Sequence, residues 1–543
     1  MLKSSSYAFL ILFNRSHPLL LQIKECQTNG VEIITLTIGN LTLKDANALV
    51  AEALRMEDNE EAVLHLTTII HRKTRGNVFF VLVFLRNLYD EGLLSYNIGC
   101  MKWIWDDEVI STKLVTENVA TILINKLKRL TKAFQMALQV AACLGASFSI
   151  SALSLVMKRL CDGKFEDDST EILSSSIKEF EDDGLWEQEK DSPDKRRFSH
   201  DQIQSASLKL IPPMERNSFR KDIGDILAQK LSPDDLESYL FEVVSLRNCE
   251  TDSLSVQDRK ELAKMNLRAG LKASRNAAFD TAAIYYRTGR KLVGKAAWND
   301  DRDTMLQLCS YEAEARFING DLLTMKLLID EILRQDITIE EKFKAYEIKI
   351  LAYNAEPDFK ASIDTAIEVR TKLRLPTPAN KPASSISVLK EYLKTSRVLK
   401  NRSPEELASL PELTNTRIIM GQRMLELLLT TTYQAQPSMY PLISFLLIRA
   451  TIKYGVNASS CDAFSNYGLL LCGFGKFSRG RDMGKATELL LENPKYERMQ
   501  SRSCFLIETF IHHWTSPIHL TLSPLLSGYQ KGMYPACLGL TCV

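Results

Sequence analysis

Charge of one sign is what this 543-residue chain lacks most plainly: 68 lysines and arginines stand against 67 aspartates and glutamates, a net charge of +1. That balance supplies no overall field for holding a polyanion or an anionic membrane, so nucleic acid is not an expected partner and any such contact must come from a local patch. Also missing is any apolar run approaching the roughly 18 to 20 residues that cross a bilayer. The eleven cysteines follow no framework of spacings and read as reduced thiols of a cytoplasmic protein. Cys537 and Cys542 make a lone C-x4-C, short of the about four ligands a zinc site needs.

Catalytic frames are missing too. There is no Gly-x-Ser-x-Gly elbow and no paired-carboxylate frame. A phosphate-binding loop needs G-x-x-x-x-G-K-[ST], whose amides cradle the phosphates while Lys and hydroxyl serve phosphate and Mg²⁺. The nearest imitation is Gly475-Lys476, with Phe477 in the hydroxyl position and Leu470 in that of the first glycine. His512, His513 and His519 lie near Trp514, but adjacent histidines project in different directions from a helix and no carboxylate or thiolate set accompanies them in the sequence. They read as surface or packing residues, with no metal expected.

What is present is the composition of an ordinary folded protein, 45% hydrophobic and 25% charged, long enough for about three or four domains. Residues 1–40 carry two strand-like runs, Tyr7 to Phe13 and Val31 to Ile38, around a helical Pro18 to Cys26. That order reads as a C-terminal remnant of a parallel α/β core whose beginning lies elsewhere. Lys3 before the first run imitates a signal peptide, but no small-residue cleavage site follows.

Residues 41–98 turn helical. Ala46, Leu49, Val50, Ala53 and Leu54 form one apolar stripe, a helix follows over Val63 to Arg72, and Gly76-Asn77 makes a turn into an aromatic-rich helix, Phe79 to Leu88. In residues 99–212 a strand is expected over Met101 to Trp105. Helices follow over Asn118 to Leu130, Ala133 to Leu144 and Ile150 to Leu160, with Gly145 as a stop. Leu185 to Glu187 and Arg197-Phe198 then flank the polar turn Lys190 to Lys195, a hairpin; three helices closed by a hairpin is the winged-helix layout.

Residues 213–375 are amphipathic helices. Gly270, Ala282, Tyr286 and Gly289 supply the small-aromatic-small pattern that lets antiparallel helices approach closely in a tetratricopeptide unit. Asn319-Gly320-Asp321 and Glu356-Pro357-Asp358 are turns about 37 residues apart, a helical-solenoid period. Pro376 to Pro382 reads as a linker, residues 376–543 as further repeats, and an atypical tail begins near residue 533. The fold class expected is therefore mainly α: an α/β remnant, a helical lid, a winged helix and an α-solenoid.

Two constellations bear on binding. Lys126, Lys128, Arg129 and Lys132 could meet a phosphate backbone, or form a solvated helix face. In Phe198-Ser199-His200-Asp201, a strand leads into a helix, so His200 could offer an N–H to a phosphate while Asp201 caps, or the pair could be a plain turn and cap.

Read together, Lys73 to Phe80, Trp103-Ile104-Trp105-Asp106, Ala141 to Gly145, Phe198 to Ala206 and Asn266 to Gly270 running into Trp298 stand in an order that resembles the STAND ATPases. The likeness is to the Orc/AAA-like ATPase and repeat region of multidomain serine/threonine kinases and hybrid histidine kinases. The resemblance implies a nucleotide held between an α/β core, a lid and a winged helix, with a closed ADP form and an open ATP form. It places Gly76 and Asn77 at the lid turn near the nucleotide and His200 at the histidine that senses the ADP phosphate. Val78 stands where the family usually has proline. The family's phosphate loop and acidic Mg²⁺ motif would fall before Met1, and its kinase, cyclase or sensor modules beyond either end.

The expected function is a non-catalytic regulatory module of a signalling ATPase. It would have no cofactor of its own, ATP or ADP with Mg²⁺ in the complete protein, and a protein partner on the repeats. The alternatives are a fragment of a catalytically active ATPase or kinase, and a winged-helix transcription regulator.

Overall fold

The computed structural model describes residues 39–113, 119–161, 169–190, 192–378, 383–400 and 402–532. The expected α/β remnant and the atypical tail lie outside them, apart from residues 39 and 40. Two compact units divide the chain, Met1–Pro213 and Met214–Val543. The described residues are mainly α-helical, and no helix among them is long and apolar enough to cross a membrane.

In the first unit, α1 (Leu43–Ala53), α2 (Glu60–Thr74) and α3 (Val78–Asp90) bury Val50, Leu66, Ile70, Val81, Phe84 and Leu88 against one another. Thr42 and Asn77 cap α1 and α3. A hairpin follows, β1 (Leu94–Asn97) antiparallel to β2 (Lys102–Trp105), with Leu94 opposite Trp105. Leu94 belongs to the three-helix core, Trp103 and Trp105 pack on it, and the Trp103 indole N–H donates to Leu54 O at 2.9 Å. The boundary expected between residues 98 and 99 thus falls inside a hairpin, because the tryptophans fasten it to the preceding helices. The next helix, α4 (Asp107–Lys113), adds Ile110 to the same core.

After α5 (Val119–Arg129) come α6 (Lys132–Leu144), β3 (Ser147–Ser149), α7 (Ile150–Cys161), α8 (Ser169–Asp182), β4 (Trp186–Gln188), β5 (Lys195–Phe198) and α9 (Asp201–Lys209). The strands form an antiparallel sheet in the order β3-β5-β4. Gly145, at φ +144°, ends α6 and starts the path into β3. Trp186 is almost wholly buried, edge-on to Phe148, Phe180 and Phe198 with centroids 4.7 to 6.1 Å away, so one indole joins the sheet to α8. β5 is the central strand and leads directly into His200 and α9.

The second unit is a run of stacked helical hairpins. Three helices between Arg216 and Arg247 lead into α10 (Val256–Arg275), α11 (Phe279–Val293), α12 (Arg302–Ile318), α13 (Leu322–Arg334), α14 (Ile339–Ala355) and α15 (Phe359–Lys372), each packed on its neighbour. Beyond these lie α16 (Ser385–Val398), α17 (Thr416–Ala435), α18 (Tyr440–Tyr454), α19 (Ala458–Gly473), α20 (Phe477–Leu491), α21 (Gln500–Phe510) and α22 (Leu522–Gly532).

The Gly270–Tyr286 pattern works as its residue types suggest. A Cβ on Gly270 would stand 2.3 Å from the Tyr286 ring, and one on Gly289 would stand 2.8 Å from Leu308, so both glycines are where helices touch. Tyr286 is buried, and its hydroxyl lies 3.1 Å from Ser274 Oγ.

Candidate functional site

The turn between α2 and α3 is built by three residues in succession. Arg75 takes a left-handed conformation at φ +52°, Gly76 continues at φ +74°, and Asn77 returns to extended backbone as the N-cap of α3. Gly76 O accepts from Leu41 N–H at 2.8 Å, and a Cβ on Gly76 would lie 2.1 Å from Leu41 O. Both φ and space therefore demand glycine here. His71 Nε2, 2.9 Å from the same Leu41 carbonyl, closes the turn. Asn77 Oδ1 accepts from Phe80 N–H at 3.2 Å, satisfying one of the free amides at the start of α3.

His200 is the N-cap of α9, in extended backbone. Its Nδ1 lies 3.1 Å from Gln202 N and 2.7 Å from Asp201 Oδ1. One nitrogen cannot serve both at once: bare, it accepts the Gln202 N–H; protonated, it donates to Asp201. The two sequence alternatives for this tetrad, phosphate contact and helix cap, thus use different atoms. Nδ1 is occupied with the helix start, while Nε2 has no hydrogen-bond partner among the described residues, and the ring is partly exposed.

The fold brings the two places together. Phe79, two residues into α3, stacks on the His200 imidazole with centroids 4.1 Å apart and planes 12° from parallel. Two helix N-termini, each a region of partial positive charge with unsatisfied N–H groups, are therefore joined through a ring pair. Val78, at the first position of α3, is half-exposed beside them.

Phe79 also walls a cleft of about 180 Å³ between α3, α5, α9 and the turn at residues 183–185. Arg86, Lys126, Asp183 and Ile203 line it as well. Asp183 pairs with Arg86 at 3.4 Å and with Lys126 at 3.1 Å, so these cations already have a carboxylate. Arg129, likewise, lies 3.7 Å from Glu91. Of the basic stretch weighed in the sequence, two members are thus engaged within the unit. The cleft is smaller than the about 300 Å³ at which ligand pockets begin, too small for a whole nucleotide.

Gly475 and Lys476 form an ordinary turn before α20, with Lys476 Nζ donating to Tyr392 Oη at 2.6 Å. Sequence reasoning assigned no role to Phe79 or Asp183. Phe79 carried a signal, an aromatic directly after a helix start that was already marked, whereas Asp183 carried none.

No family model matches this chain. It is 21% identical to hybrid signal transduction histidine kinase G of Dictyostelium discoideum over 93% of its own length, and spans only 17% of that protein. Among solved structures it aligns with a Signal Transduction ATPase with Numerous Domains protein with a tetratricopeptide repeat sensor, PH0952 of Pyrococcus horikoshii. That alignment has 12% identity, covers 91% of this chain and 72% of that one, and has a TM-score of 0.28, too distant to place residues.

Proposed function

We propose that this chain is a regulatory module of a signalling protein, in which the first unit forms a nucleotide-linked switch and the helical repeats bind a protein partner. In this reading residues 41–113 act as the lid. The helices and three-stranded sheet from α6 to α9 are a winged helix, and the chain carries out no catalysis itself. ATP or ADP with Mg²⁺ would be held by the α/β core of a complete protein.

The observation that carries the reading is the Phe79–His200 stack. A phosphate reaching His200 Nε2 would meet an imidazole whose position depends on the first turn of α3, so phosphate contact and lid position are mechanically linked. The distant relative named as a signal transduction kinase supports the setting, and the stacked hairpins around Gly270 and Tyr286 suit a protein-binding solenoid.

Equilibrium binding of labelled ATP and ADP to the chain joined to the α/β core that this reading requires, with His200→Ala and Phe79→Ala alongside, tests the switch. ADP affinity that falls about tenfold in each variant, a loss of about 1.4 kcal/mol, is the expected result. ADP bound equally by all three chains would remove His200 from the switch. Failure of both nucleotides to bind up to millimolar concentration would remove the nucleotide from this chain and leave the repeats as its functional surface.

A further inference from the structure

The second unit holds a cluster that the switch does not use. Glu508 lies near the end of α21 and His512 four residues on, in the 3₁₀ turn His512–Trp514, so both project from one side. Glu488 reaches the same point from the last turn of α20. His512 Nδ1 is 3.2 Å from Glu508 Oε1, and Nε2 is 3.8 Å from Glu488 Oε1. One ligand atom from each residue can be chosen so that all three lie within 4.8 Å of one another. The sequence reading set His512 aside for want of an accompanying carboxylate; the fold supplies two.

We propose that Glu488, Glu508 and His512 bind a divalent transition-metal ion of the zinc type. The 3.8 Å between Nε2 and Glu488 is too long for a hydrogen bond and fits two donors about 2.0 to 2.2 Å from a shared ion. An imidazole beside carboxylates selects zinc-like ions over Ca²⁺ and Mg²⁺, which favour all-oxygen shells.

The surroundings look prepared rather than incidental. A Cβ on Gly484 would lie 3.3 Å from His512 Nε2, so glycine leaves the ring its place against α20. Ile507 and Ile511 are buried on either side of Glu508 and hold the rotation of α21. Glu508 is itself buried, while Glu488 is half-exposed, which leaves one side of the site open to water.

A cleft of about 340 Å³ between α20, α21 and α22 opens beside the cluster, with Glu488, Glu508 and Cys504 in its wall.

The test is titration of the metal-free full chain with Zn²⁺ against a chromophoric chelator, with Glu488→Gln, His512→Ala and Glu492→Gln in parallel. Glu492 lines the same cleft outside the cluster. One Zn²⁺ per chain, with affinity falling at least about tenfold in Glu488→Gln and in His512→Ala but not in Glu492→Gln, is expected. Because Glu488 is half-exposed, its variant should fold, which keeps the result readable. Co²⁺ in place of Zn²⁺ should give a spectrum without a thiolate-to-cobalt charge-transfer band. No stoichiometric Zn²⁺, or Zn²⁺ held equally by Glu488→Gln and His512→Ala and lost on thiol alkylation, would overturn the proposal.

Discussion

The two units bury different chemistry. In the first, every buried polar side chain among the described residues is uncharged: Asn47, Thr67, Thr74, Gln135, Ser149, Ser176 and Ser207. Its second core is a nest of aromatic rings around Trp186. The second unit buries Arg247, Glu312, Arg370, Glu426, Asp462 and Glu508. An aromatic nest has one good packing, since rings of different shape interlock edge to face. Parallel apolar helix stripes slide more easily, and a buried ion pair tolerates no slip because the desolvated charge would lose its partner. The contrast suggests that the solenoid uses charge to hold its register where the first unit uses shape.

Breaking the densest of these networks should have the largest effect. Arg423 pairs with Glu347 at 2.7 Å and closely with Glu426, whose other oxygen accepts from Ser459 Oγ at 2.6 Å. Arg423→Ala would take the nearest cation from both carboxylates, leaving Glu426 with Arg502 and Glu347 with Lys344, each at 4.0 Å, and should cost about 3–5 kcal/mol, read as faster hydrogen exchange throughout α17 and α19. Loss confined to exposed residues would mean that the network does not hold the register.

Asp462 sharpens the comparison through pH. It is fully buried, neither oxygen has a hydrogen bond among the described residues, and Arg502 stands 3.5 Å away. Burial, with the Glu426 charge adding to it, raises its carboxyl to about 6 against the opposing Arg502 and Arg423. The folded chain therefore binds this proton more tightly than the unfolded one. Its contribution to stability is full below about pH 4 and is lost as pH rises through about 6, by up to about 3 kcal/mol. Asp462→Asn should abolish that decline in urea unfolding followed across this range.

Glu426 has the opposite sign. Burial alone would raise it, but Arg423 and Arg502 outweigh burial and lower it, so its contribution is lost only as pH falls below the ordinary carboxylate range. That limb should survive in Asp462→Asn.

Shape can be tested inside the charged unit. Gly270→Val would drive a side chain into the buried Tyr286 ring, which a Cβ alone would approach to 2.3 Å. Overpacking of this kind costs about 1–3 kcal/mol. The loss should appear as a lower melting temperature and should change little with pH, unlike that of the Asp462 network.

How much of this was legible in the sequence follows from the range of each interaction. The stripe in α1, the turn at Gly76-Asn77, the stop at Gly145 and the β4–β5 hairpin depend on neighbours within a few residues, and patterns of period and turn chemistry reveal them. The helix α8 did not announce itself because Ser169, Ser174, Ser175 and Ser176 dilute its apolar spacing. β3, only three residues long, is too short to alternate.

At the site, Gly76, Asn77 and His200 were reached through motif order, but the Phe79 contact that joins them is tertiary. The pairing of Arg423 with Glu347, and of His512 with Glu488, likewise spans helices whose packing no local pattern encodes.

The smallest effect is expected where the first unit relies on a single neutral group. Asn77→Ala removes the acceptor for Phe80 N–H and should cost about 0.5–2 kcal/mol, a cap's worth rather than a network's. Its reach is local: the amides of residues 78–82 should exchange faster, and Phe79 lies in that turn, so the stack on His200 should loosen with it. Asn77→Asp should keep the cap, since a carboxylate accepts the same N–H and favours a helix N-terminus. If Asn77→Asp exchanges like the parent and Asn77→Ala does not, the cap holds the ring pair together. If both exchange like the parent, Phe79 and His200 hold the turn without it, and aromatic shape alone accounts for order in this unit.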